Sequence, residues 1–212
     1  MNPLSVRRHP RASYSESCYV PPAPPALRAP QSLPLSSRVA QICDVESLLD
    51  RLPDFANKNL RNFIADVFDQ ALVSAYATQI NGAWAFGCSQ PAGHSLLDWS
   101  LQAAEQAWRH PALRAWEREV AATAALIAPC GLAGFLRDRP DRNPVSSLSR
   151  DARKEIAARR LVILEAALRC LRSRDADIGR TLGAVLDVTN DEELDRQQVA
   201  RITAAIGCMA VL

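Results

Sequence analysis

The chain has 212 residues, enough for one domain with a sizeable core plus a tail. Hydrophobic residues make up 48% and charged residues 23%, an ordinary globular balance, and a net charge of +2 excludes a global nucleic-acid signature. Arg outnumbers Lys 23 to 2, a bias that reads as GC-rich coding rather than as guanidinium chemistry.

No apolar run in the sequence approaches the ~20 residues of a membrane span, so no membrane association is expected. Arg7, Arg8 and Arg11 are followed by no apolar region, so the start is not read as a secretory signal. The six cysteines (18, 43, 88, 130, 170 and 208) form no CxxC pair and read as reduced, mostly buried thiols. These observations together predict a cytoplasmic protein.

Residues 1–40 read as a disordered tail, dense in Pro, Ser and Arg, that cannot bury enough apolar surface to offset its ordering entropy. Pro21-Pro22-Ala23-Pro24-Pro25 favours polyproline II. With five Arg against one Glu, the tail offers nucleic acid, acidic lipid or an aromatic groove a basic contact. Residues 41–212 read as one helical domain.

Asp44 is placed to cap a short helix through Leu52, stopped by Pro53. Asn57 caps the next, where Leu60, Phe63, Ile64, Val67 and Phe68 form one apolar stripe. Residues 81–93 read as a loop of Gly and small residues, with Trp84 and Phe86 available for packing or stacking. Ser95 caps a helix through Trp108 that carries Leu97, Leu101, Ala104 and Trp108 on one face. Pro111 suits the first turn of a helix running through Leu126 and stopping before Pro129.

After a charged loop, Ser147 or Ser149 opens a long helix to about Arg172. A further helix covers about Asp175–Val188. Asn190-Asp191-Glu192-Glu193 resembles a capping box for a last helix. No segment alternates with period two. The expectation is an all-α bundle of about seven helices.

Two segments resemble a metal-site scaffold. Ser95-Leu-Leu-Asp-Trp99-Ser-Leu-Gln-Ala-Ala104 and Ala124-Ala-Leu-Ile-Ala128-Pro129-Cys-Gly131-Leu-Ala133 resemble the "GLLEHSLEVA" and "ALLHDIGK" segments of HD-domain phosphohydrolases. The variant they resemble most is that of TraI-type, MobH-like conjugative relaxase proteins. Leu60-Arg-Asn-Phe-Ile-Ala-Asp-Val-Phe68 resembles the helix before the metal motif, and Pro91-Ala-Gly-His94 the loop that leads into it.

That resemblance implies an HD-like helical fold over about residues 57–188. It also sets Trp99 where the family has its first His, and Ala128-Pro129 where it has His-Asp. An indole has no lone pair for a metal, and Ala and Pro have no ligating side chain. The resemblance thus implies a degenerate site, with no catalytic, cofactor-binding or metal-binding residue and no cofactor.

Candidate cleft residues are His94, Asp98 and Trp84, with Asp98 expected on the helix surface. Cys130 is expected to be buried and inert. Arg150, Arg153, Lys154, Arg159 and Arg160 are expected to form a solvated basic face.

The first functional expectation is a non-catalytic pseudoenzyme that binds or scaffolds an unknown protein partner, linked to a conjugative or integrative mobile element. One alternative is a metal-dependent phosphohydrolase with shifted ligands, such as His94, Asp98 and Asp175 or Asp177. The other is a nucleic-acid accessory protein acting through the basic tail.

Overall fold

Short polar caps and apolar stripes set most of the helix boundaries in the computed structural model, which describes residues 42, 44–77, 95–138, 149–188 and 194–207. The tail, the loop with Trp84 and His94, and the Asn190–Glu193 segment lie outside the described residues. Among the described residues the fold is all-α, with helices α1 (Val45–Leu49), α2 (Lys58–Val67), α3 (Gln70–Ala77), α4 (Leu96–Trp108), α5 (Ala115–Ile127), α6 (Cys130–Arg137), α7 (Arg150–Arg174), α8 (Ala176–Val185) and α9 (Arg196–Ile206).

The caps act through side-chain oxygens on orphan amides. Asp44 accepts from the Ser47 amide at 2.8 Å, and the Ser47 hydroxyl accepts from the Asp44 amide at 3.1 Å. Asn57 accepts from the Asn59 and Leu60 amides. Ser149 caps α7 through the Ala152 amide at 3.1 Å. Asp175 both ends α7 and caps α8.

Three boundaries differ from expectation, the first being the end of α1 at Leu49 rather than Leu52. Pro111 lies in a turn, and α5 opens at Ala115, where Glu117 reaches back to the Arg114 amide at 2.9 Å. The last helix opens at Arg196 behind Asp195, whose side chain accepts from the Gln197 amide at 2.9 Å. Two helices, α3 and α6, had no counterpart in the sequence reading. Both are eight residues long; α6 is buried all round from Cys130 to Phe135, and the exposed face of α3 is only Gln70, Ala71 and Ser74, with no charge to mark a stripe.

Helix α5 is central among the described helices. Every residue from Glu119 to Ile127 is buried, four of them Ala. Those small side chains let α4, α9, α2 and α8 pack against it from different sides. Helix α6 packs on α7, and α7 in turn on α8 and α2.

The segment Ala115–Arg137 is long and apolar enough to cross a membrane, contrary to the expectation that no run comes close. Its most apolar 18 residues have a mean hydropathy of 1.6, and 94% of that stretch is buried inside the protein. Its apolarity serves the core.

Candidate functional site

The first motif falls on the start of α4. Ser95 Oγ accepts from the Asp98 amide at 3.0 Å and donates to Asp98 Oδ2 at 3.5 Å. Asp98 is buried, 7% exposed, and not the surface acid expected. Its position in the first turn explains the tolerance, because a carboxylate near a helix N-terminus is favoured. Leu97, Ser100, Ala104 and Ala107 form the buried face of α4. At 3.6 residues per turn, Trp99 falls roughly 120° away from the centre of that face. It is partly buried and packs against the core from its margin.

The second motif falls on the junction of α5 and α6. Ala128 is 4% exposed at the end of α5, and Pro129, also buried, precedes α6. Proline has no amide proton, so the hydrogen-bond ladder breaks here. Beside this break the Leu126 and Ile127 carbonyls accept from the Tyr76 hydroxyl on α3, at 3.1 and 3.3 Å. Tyr76 is fully buried, and burial first, then the neighbouring Cys130, pushes its phenol well above the usual range. It remains a neutral donor at any physiological pH.

Burial pushes the Cys130 thiol up to about 12, against the Arg160 charge and the Gly131 and Cys130 amides, which pull it down. The group is a protonated thiol, not a nucleophile. The expected inert character of Cys130 rests on this.

The basic stretch on α7 divides. Arg150, Arg153 and Lys154 are exposed. Arg159 is held by Asp138, by Glu155 at 3.0 Å and by the Gly134 carbonyl at 3.3 Å. Arg160 is 8% exposed, which corrects its assignment to a solvated face. Its Nε has no hydrogen-bond partner, and it has no ion-pair partner among the described residues.

The carboxylates offered as shifted ligands are engaged elsewhere. Asp175 caps α8 through the Ile178 amide and accepts from Asn57 Nδ2 at 3.2 Å. Asp177 pairs with Arg180 at 2.8 Å on the surface. His94 and Trp84 lie outside the described residues. Among the described residues, no three His, Cys, Asp or Glu side chains are grouped to hold a metal ion.

Sequence reasoning missed Glu119 and Tyr76 and misplaced Arg160. Glu119 accepts from the Ala56 and Asn57 amides, both at 3.0 Å, and so pins the entry of α2 to α5. A buried acid in an Ala-rich helix was the available signal for it. Nothing local marks Tyr76 or Arg160, whose neighbours come from other helices. Comparison with family models, with curated proteins and with solved structures found no match. The class defined by the fold is therefore that of all-α proteins.

Proposed function

We propose that this chain is a non-catalytic, HD-like helical domain that works by binding or scaffolding a protein partner in the cytoplasm, in the setting of a conjugative or integrative mobile element. The observation that carries the reading is the donor chemistry at the two motif segments. Trp99, Ala128 and Pro129 offer no lone pair to a metal. The carboxylates nearest in role support it further, because Asp98, Asp175 and Asp177 serve helix starts and a surface ion pair.

The test is elemental analysis of protein purified without chelator, joined to phosphomonoester and phosphodiester turnover assays with added Mn. The expected result is neither a stoichiometric metal nor turnover. One or two tightly held ions per chain, with turnover abolished in Asp98→Asn, would overturn the reading in favour of the shifted-ligand phosphohydrolase.

A further inference from the structure

Helix α7 is the longest of the described helices, and it commits one side to the core, through Ile156, Arg160, Leu164, Ala167, Leu168 and Leu171. At about 3.6 residues per turn, Val162 falls on the side opposite the centre of that stripe. Val162 is 77% exposed and the adjoining Leu161 45%, and these two are the large hydrophobic residues left exposed among the described residues. Ala158 and Ala166, one turn to either side of Val162, are exposed as well. A lone exposed apolar side chain is ordinary, but here four lie together on one face.

The charges around this strip invert about Val162. Arg159 stands three residues before it and Glu165 three after. Glu155 stands seven residues before it and Arg169 seven after. The alanines at four before and four after match each other. A face with this inversion is complementary to itself when turned end for end. Within the chain, Glu165 holds Arg169 at 2.8 Å, yet their side chains are 71% and 74% exposed. A pair so open to water is weak and can re-pair with another chain at little cost.

We infer that α7 is a self-association surface, which packs antiparallel on α7 of a second copy of this chain about a two-fold axis at Val162. Val162 then meets Val162, Ala158 meets Ala166, Glu155 meets Arg169 and Arg159 meets Glu165 across the axis. The small alanines let the two backbones approach around the valines. Such an interface is isologous and closes as a dimer. A parallel pair would set Glu165 on Glu165 and Arg169 on Arg169, so charge selects the antiparallel one. Farther out, Arg150 and Arg174 would bring like charge together, so the helices cross and part beyond the middle turns. That contact is smaller than a standard interface, and the dimer is a weak one. The pairing does not rest on the domain's scaffolding role.

The test is sedimentation velocity of the full chain, loaded from about 1 to about 200 μM, where a small interface dissociates. The expected result is a reversible shift from monomer to dimer. Val162→Glu abolishes the shift and leaves the melting temperature unchanged. Arg169→Glu, which sets acid against Glu155 twice per dimer, weakens it about tenfold. Geometry is read by mild oxidation in a Cys170→Ser background. Val162→Cys closes a disulfide at the axis, whereas Ser173→Cys, about 30 Å from its own copy in an antiparallel pair, adds none. A chain that stays monomeric throughout, whether residues 1–40 cover the face or leave it bare, overturns the inference. So does a dimer retained in Val162→Glu, or crosslinking of Ser173→Cys as readily as of Val162→Cys.

Discussion

The Tyr76 hydroxyl donates to two buried carbonyls, those of Leu126 and Ile127, just before the break at Pro129. Tyr76→Phe keeps the ring, including its edge contact with Phe68 at 4.9 Å between centroids, and removes only the donor. A buried acceptor left unmet costs about 1–3 kcal/mol. Urea unfolding should show that loss with an unchanged denaturant slope, and a change below a few tenths of a kcal/mol would mean that water satisfies the carbonyls. Cysteine chemistry divides in the same local terms. Cys130 is buried with its thiol pushed up to about 12, whereas Cys170 is exposed. Iodoacetamide at pH 8 should label Cys170 well before Cys130 in the native protein, and peptide mapping reads the order.

Glu117 gives the residue scale its pH dependence. Burial pushes its carboxyl up, but the Arg114 amide and Arg201 outweigh that and hold it below its ordinary value of 4.5. A depressed carboxyl stabilises the fold above its unfolded pKa, and the contribution fades as pH falls through the lower folded value. Melting temperature should therefore fall below about pH 4.5. In Glu117→Gln part of that acid slope should vanish, and an unchanged slope would assign the acid sensitivity to other carboxylates.

At the scale of elements, the crossing of α6 and α7 depends on one glycine more than on another. Gly131→Ala drives a Cβ into the Ile156 backbone carbonyl, which cannot step aside, and overpacking of this kind costs about 1–3 kcal/mol or more. Gly134→Ala meets only the Ile163 Cδ1 tip at 3.2 Å. A rotamer change absorbs that, and the gain in helix propensity of up to about 1 kcal/mol offsets it. Thermal denaturation of the two variants should rank them clearly, and equal losses would show that α6 is free to slide along α7.

Legibility in the sequence followed the same division of elements. Helices α1, α2, α4 and α7 were readable because each has a polar cap and a periodic apolar face against solvent. Helices α3 and α6 were not, because α6 is buried all round and the exposed face of α3 carries Ala71 and Ser74 in place of charge, which weakens the periodicity that identifies an amphipathic helix. The motif segments could be read for what they lack, since donor chemistry belongs to a residue type. The buried state of Asp98, and the meeting of Tyr76, Cys130 and Arg160, depend on helix crossings with no local signature.

At the scale of the whole domain, α5 binds distant parts of the chain through acids rather than through bulk. Glu119 holds the loop before α2, and Glu117 accepts from Arg201 on α9 at 2.8 Å, across 84 positions of sequence. Glu117 is 1% exposed on its side-chain surface, so its counter-charge is integral to the core's closure. Synthesis proceeds from the N-terminus, and Glu117 is made long before Arg201. Until α9 leaves the ribosome, the nascent domain can only bury an uncompensated carboxylate or keep the start of α5 open to water. The last step of folding is thereby tied to the last helix described, and a ribosome stalled before residue 201 should carry a chain whose α5 is still open to proteases.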